Sequence, residues 1–405
     1  MSTTMPTDSA SVMPRFPVLD TLRAVGAFAV LTTHVAFWGG EYTRHGVWGA
    51  VLARLDVGVS LFFVLSGFLL SYPYLARARS GRTAPALGPY LWKRALRIIP
   101  VYVLTVVLAL VFIDANRNAS FGDWVSTLLL ADVYVHPHLP QGLTQMWSLA
   151  VEVSFYLVLP LLMVAVTGAR RQWRPQRVVV LLTVMVAIAV LWHLQWASEV
   201  ETISPGSPRE WLPTYLVWFA VGIFLALAHV ALDQWPGRLQ RGLLGLAALP
   251  GCCWAAAAGL MLLAATPIAG PTMLAAPTQG EALTKNLIYA AIGALIVLPG
   301  VFGPEGSRFE RVFSAAALRH LGHISYGIFC IHLPVLHLVM WVTGYELFRG
   351  HGPQIWLLTV LISVGAAELI YRLVEKPAMR LKRWRPRNGL DAARANVAAS
   401  GSRTT

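Results

Sequence analysis

The first segment able to do chemistry is VLDTLRAVGAFAVLTTHVAFW, where Asp20, Arg23 and His34 interrupt an apolar run. An ionisable group inside a membrane span is costly unless paired or hydrated, so it marks a functional site by default. Arg23 and His34 are eleven positions apart; at about 100° per residue they fall within about 20° of one helix face, roughly 16 Å apart along the axis. Asp20 lies near the same face, one turn earlier. The face thus carries a carboxylate, a guanidinium and an imidazole in line. An imidazole suits proton transfer at neutral pH. The plainer alternative is an edge ion pair and a packed histidine.

Further segments add polar groups in similar settings. In GVSLFFVLSGFLLSYPY, Gly58, Ser60, Ser66 and Gly67 are small enough for close helix contact. In YLWKRALRIIPVY, Arg94 and Arg97 project from one side of a helix start. Two guanidinium forks so placed match phosphate oxygens, or else they anchor a membrane edge. In QMWSLAVEVSFYLVLPLL, Ser148 and Glu152 share a face, and a carboxylate there calls for a cationic or imidazole partner. In LRHLGHISYGIFCIHLP, Ser325 and His332 are seven apart and again share a face, with Tyr326 adjacent and His323 near the edge. Glu368 and Arg372 read as a structural i,i+4 pair.

These residues must be carried by membrane helices. The 405 residues are 56% hydrophobic and 13% charged, about half the charged share of soluble domains, and the mean hydropathy is +0.60. This excludes a disordered chain and a disulfide scaffold and argues against a soluble enzyme. Apolar runs fall near 18–38, 57–75, 98–113, 147–167, 178–196, 212–232, 243–265, 283–303, 321–343 and 355–374. Runs of this length without alternation are helices, since only helices and closed barrels satisfy their backbone in lipid. The expected fold is all-α, a polytopic bundle of about ten spans. Residues 114–146 contain an apolar patch too short to span, read as an interfacial or re-entrant helix.

The net charge of +13 could suggest nucleic acid, but the cations sit between apolar runs. With the N-terminus inside, the inner segments hold 25 Lys and Arg and the outer segments 5, which places both termini in the cytoplasm. No nucleic-acid partner is expected. The first run carries Arg23 and His34 and lacks a small-residue cleavage site, so it reads as an uncleaved span. Cys252, Cys253 and Cys330 form no metal or redox pattern, and no metal is expected.

Six blocks together resemble the acyltransferase-3 family of integral membrane acyltransferases: LDTLRAVGAFAVLTTH, DVGVSLFFVLSGFLLS, LWKRALRIIPVY, MWSLAVEVSFYLVLPLL, LGHISYGIFCIHLPV and LVEKPA, in family order. The resemblance divides the chain into a cytoplasmic tail (1–17), a transmembrane acyltransferase core (18–378) and a basic, disordered tail (379–405). It implies transfer of an acyl group, most often acetyl, from cytoplasmic acyl-CoA to a carbohydrate or glycolipid hydroxyl, at the bacterial inner (plasma) membrane. The donor is a substrate; no tightly bound cofactor is implied. The family's Arg-(ten residues)-His signature falls on Arg23 and His34, its Arg-x-x-Arg motif on Arg94 and Arg97, and its Trp-Ser-Leu-x-x-Glu pattern on Trp147, Ser148, Leu149 and Glu152. His34, Glu152 and Arg23 are the expected catalytic set, with Glu152 orienting His34 or binding the sugar hydroxyls. Arg94 and Arg97 are expected to bind the donor. Asp20, Ser66, Trp147, Ser148, Ser325, Tyr326 and His332 are expected to shape the site.

The sequence departs from the family pattern at Thr21, where Gly is common, and at Val153, where a carboxylate or Gln is common. Many members carry a fused periplasmic domain that moves the acetyl group onward; without one, direct transfer or an envelope-lipid export partner is implied. The Ala/Arg/Gly/Val-rich, actinobacterial style extends the acceptors to mycolate-type glycolipids such as trehalose monomycolate. A transporter or flippase of acylated glycolipid, without chemistry, would also use a buried polar face.

Overall fold

The computed structural model describes residues 14–168 and 173–383. The expected terminal tails lie largely outside these residues. Ten long helices organise the described residues: α1 (Pro17–Gly39), α2 (Gly58–Arg79), α3 (Leu87–Phe112), α4 (Trp147–Thr167), α5 (Pro175–Leu191), α6 (Leu212–Val230), α7 (Pro250–Ala264), α8 (Gln279–Phe302), α9 (Ala316–Thr343) and α10 (Gly352–Ile370). The described residues contain no strand.

Local signals set the helix limits. Pro17 opens α1, where its missing N–H costs nothing, and Gly40 closes it in the left-handed region at φ 76°. Thr278 and Glu281 form a capping box at the start of α8, with the Thr278 N–H donating to Glu281 at 2.7 Å. Ser120 and Asp123 do the same for the short helix Phe121–Leu128, which occupies the segment expected to hold one.

Nine helical stretches among the described residues are long and apolar enough to cross a membrane. The run near 243–265 differs from the straight span expected there. It is a bent pair, Gly237–Ala247 and α7, meeting at 80°. Pro250 opens α7 without a backbone donor, and Leu249 before it leaves the helical region at ψ 65°. Counting the pair as one crossing gives ten spans.

A second difference lies ahead of α2. The helix Val47–Ala53 precedes it, and Arg54 sits in the break. Sequence reasoning counted Arg54 among the outer loop cations. It is instead 3% exposed, and its guanidinium donates to the carbonyls of Ala264 (2.8 Å), Gly270 and Pro271 (3.3 Å). These bonds tie the break to the segment between α7 and α8.

The core is built around α1, α2, α6 and α9. Without side chains, Gly67 packs against the Phe219 carbonyl and Gly222 against that of Val64, drawing α2 onto α6. Gly322 packs against the Asp20 carbonyl and draws α9 onto α1. This second approach gathers the polar faces of α1 and α9.

Candidate active site

A cavity of about 570 Å³ lies where α1, α2, α3, α4 and α9 converge. Its helices bring together most of the residues singled out in the sequence. Asp20 and Arg23 come from α1, Ser66 from α2, Arg94 and Arg97 from α3, Ser148 and Glu152 from α4, and Ser325 and Tyr326 from α9. Arg15 and Arg319 join them, so five arginines share one cavity. Both belong to segments counted as inner in the sequence. Apolar residues complete the wall, among them Phe62, Phe63, Leu69, Leu70 and Phe329.

Asp20 organises the cations near the mouth. It pairs with Arg23 at 3.1 Å, with Arg319 at 3.7 Å and with His323 at 3.7 Å. Arg94 packs over the Tyr156 ring, 5.7 Å from its centroid, and its Nε is buried without a partner. Arg23 lies within electrostatic reach of Arg94 and Arg97, and the buried Glu375 within reach of Arg97 and Arg23. Arg94, with its unpartnered Nε, and Arg97 stand beside the Asp20-paired Arg23, and guanidinium forks so grouped suit an anion.

Glu152 is held by two hydroxyls. Ser66 donates to its Oε1, and Tyr156 donates to the same atom at 2.6 Å. Tyr156 is one turn from Glu152, so the i,i+4 spacing could have revealed it. The Ser66 bond crosses from α2 to α4 between residues 86 apart in sequence, and no local pattern encodes it. Ser148 and Ser325 donate to carbonyls three residues back, of Gln145 at 3.0 Å and Gly322 at 2.8 Å. Tyr326 donates to the Ile98 carbonyl at 3.0 Å and ties α9 to α3.

His34 was expected to meet Glu152, but the structure gives it another partner. His34 Nδ1 lies 2.9 Å from the Val30 carbonyl and 3.1 Å from His332 Nε2. The two rings are 5.1 Å apart. The reason is axial position: Glu152 and Arg23 share the cavity, whereas His34 sits about three turns beyond Arg23. Neither histidine is part of the cavity wall. Phe329 connects the two places, lining the cavity with its ring 6.0 Å from that of His332.

Trp147 also departs from the expected cluster. It stacks on Tyr215 with centroids 4.9 Å apart, in a separate pocket. Among the described residues, no three or more His, Cys, Asp or Glu side chains gather to hold a metal.

Between α3 and α4, Ser126, Asp132, His136 and Asp123 form another polar group. Ser126 donates to Asp132 at 2.7 Å and lies 3.2 Å from His136 Nε2, and Asp123 lies 3.6 Å from that same nitrogen. A nucleophilic triad uses opposite ring nitrogens for its base and orienting contacts. With one nitrogen facing both, this cluster lacks that geometry. Burial holds the Asp132 carboxyl above its ordinary value, partly offset by the Ser126 bond.

A family model described as an acyltransferase domain matches residues 16–372. Relatives include a peptidoglycan O-acetyltransferase of Listeria monocytogenes, 26% identical, with the match covering 89% of this chain and 55% of the relative. An acyltransferase of Streptomyces mycarofaciens is also 26% identical, over 91% of this chain and 92% of the relative. An O-acetyltransferase of Staphylococcus aureus is 22% identical, over 90% of this chain and 57% of the relative. The chain thus spans a little over half the length of these two O-acetyltransferases. No solved structure shows a significant match.

Proposed function

The chain belongs to the acyltransferase-3 family, and from that premise we propose that it moves an acyl group, acetyl first, from acyl-CoA to a hydroxyl of a carbohydrate or envelope glycolipid. The observation that carries this reading is the cavity in which Arg23, Arg94 and Arg97 stand above an apolar interior containing Glu152. Guanidiniums at the mouth suit the donor's phosphates, and the apolar wall suits its slender pantetheine and acyl arm. The 25-to-5 cation bias favours the cytoplasmic side for this mouth, where it would face the acyl-CoA pool.

His34 is the proposed general base. It takes the proton from the acceptor hydroxyl as that oxygen attacks the thioester carbonyl. The carbon–sulfur bond then breaks, and the departing thiolate recovers the proton from the imidazolium. Arg23 meets the donor, and Glu152 binds hydroxyls within the cavity. The route to His34 passes Phe329, which touches both cavity and dyad. Peptidoglycan, named in the Listeria relative, and mycolate-type glycolipids such as trehalose monomycolate are acceptor classes consistent with this reading.

Purified protein in lipid nanodiscs, given acetyl-CoA and envelope extract, should release CoA and acetylate a glycan or glycolipid fraction. Mass spectrometry of a deletion strain should show the matching loss of acetyl mass. Translocation of an acylated lipid without CoA release would instead support a flippase.

A further inference from the structure

A second pocket of about 200 Å³ lies toward the opposite end of the bundle. Trp147 opens α4, Thr214 and Tyr215 belong to the first turn of α6, and Lys285 lies two turns into α8. The starts of α1 and α3, which supply Arg23 and Arg94, stand at the other end. The pocket is smaller than the roughly 300–1,000 Å³ of drug-sized sites and has room for one ring.

Its wall is aromatic. Tyr215 packs 4.9 Å from Trp147 and 4.8 Å from Trp218, and Trp218 lies 6.1 Å from Tyr289. The polar groups include two that are unfinished. Thr214 is 7% exposed and Asn286 4%, yet Thr214 Oγ1 and Asn286 Oδ1 have no hydrogen-bond partner. Both oxygens are closed to water in this conformation, and a side-chain rotation would turn them toward a ligand carrying hydroxyls. The charges are already paired, Lys285 with Asp56 at 2.6 Å and Arg209 with Glu201 at 2.7 Å. That pairing disfavours a phosphate, and the unpaired oxygens disfavour an acyl chain.

We infer that this pocket binds a sugar ring of the acceptor. A pyranose presents an apolar C–H face to aromatic rings and a rim of hydroxyls to Thr214 and Asn286. The assignment rests on the acyltransferase reading and specifies where the acceptor enters. Two contacts link the pocket to the donor cavity. Phe63 lines the cavity, and its ring packs 5.8 Å from Tyr215 and 5.7 Å from Trp218. Trp147 and Ser148 are chain neighbours facing one space each. Asp56, on the pocket wall, is also within electrostatic reach of His34.

The pocket tryptophans, Trp147, Trp192 and Trp218, provide the readout. Protein in nanodiscs is titrated, without donor, with trehalose, N-acetylglucosamine and methyl β-glucoside while tryptophan emission is followed. At least one sugar should give a saturable shift. Thr214→Val, which keeps the side chain's shape, should weaken it at least tenfold, as should Thr214→Val with Asn286→Leu. Acetyl-CoA binding, measured by calorimetry, should change less than twofold in both variants. No shift with any of the three sugars overturns the assignment, and so does a shift that survives the double variant. Sugar binding without acetyl-CoA binding in the unmodified protein would keep the pocket and remove the acyltransferase reading; the reverse would do the opposite.

Discussion

His332 Nε2 lies 3.1 Å from His34 Nδ1, and this contact fixes which nitrogen of His34 can act as a base. His332 Nδ1 faces the Phe329 carbonyl at 2.7 Å and the Ile328 carbonyl at 3.2 Å, so it carries the proton. In the neutral ring, Nε2 of His332 is then an acceptor. His34 Nδ1, facing that acceptor and the Val30 carbonyl, must donate. The lone pair of His34 is left on Nε2. In the proposed mechanism the orienting role expected of Glu152 falls to His332.

Removing the base should therefore differ from removing its positioner. His34→Ala should lower kcat by about 10²–10⁴-fold with acetyl-CoA affinity intact. His332→Ala should lower kcat by a smaller factor, with KM for acetyl-CoA unchanged. His332→Gln, whose carbonyl can still accept from His34, should recover part of the loss. Steady-state kinetics on purified variants checks the split. A His332→Gln variant no better than alanine would leave His332 a packing residue.

The arginine cavity makes the opposite prediction. Arg94→Ala and Arg97→Ala should each weaken acetyl-CoA binding by about 1.5–3 kcal/mol, roughly 10- to 150-fold, the scale of a lost charge-assisted bond. Arg94→Lys should recover little, because a point charge replaces a planar fork that also packs on Tyr156. Calorimetry with acetyl-CoA reads this directly. Unchanged affinity in a folded Arg97→Ala protein would return the pair to a topological anchor.

Helical spacing sets Asp20 with Arg23, Arg94 with Arg97, and Ser148 with Glu152 on common faces and marks Ser325, while the family resemblance adds Ser66 and Tyr326 to the expected site. Partnerships were less legible. Ser66 with Glu152 and His34 with His332 join helices through packing, and that packing depends on backbone approaches such as Gly322 against Asp20. Arg54 was misjudged for another reason. A cation beside an apolar run looks the same in sequence whether it ends in water, on carbonyls or in a cavity. Trp147 belonged to a family block, yet a residue one position from Ser148 points about 100° away around the helix, enough to reach a different pocket.

The polar group between α3 and α4 gives a pH-dependent stability. Asp132 is 5% exposed, and its burial raises its carboxyl above the unfolded value. Its contribution is thus fully present below the unfolded pKa of about 3.9 and is lost as pH rises through the folded value. Asp132→Asn keeps an acceptor for Ser126 and removes the ionisation. Thermal unfolding in detergent from pH 4.5 to 7.5 should show the variant gaining on the unmodified protein as pH rises. A constant difference across that range would mean that Asp132 titrates as it does when unfolded.

The orientation of the bundle decides whether the arginine cavity can meet acyl-CoA at all. The mouth residues Arg15, Arg94 and Arg97 lie at the same end as the connection between α2 and α3, whereas the connection between α7 and α8 holds no lysine or arginine from 266 to 282. Moving Arg54 out of the loop tally, as its burial requires, lowers the outer count from 5 to 4 and sharpens the bias. Cys253 and Cys330 are buried, so a Cys252→Ser background leaves little competing thiol. In that background Ala275→Cys should react with a membrane-impermeant maleimide in intact cells, and Arg82→Cys only after permeabilisation. The reverse pattern would turn the cavity away from the cytoplasmic donor pool. It would remove Arg94 and Arg97 from the donor site even in a protein that still bound sugar.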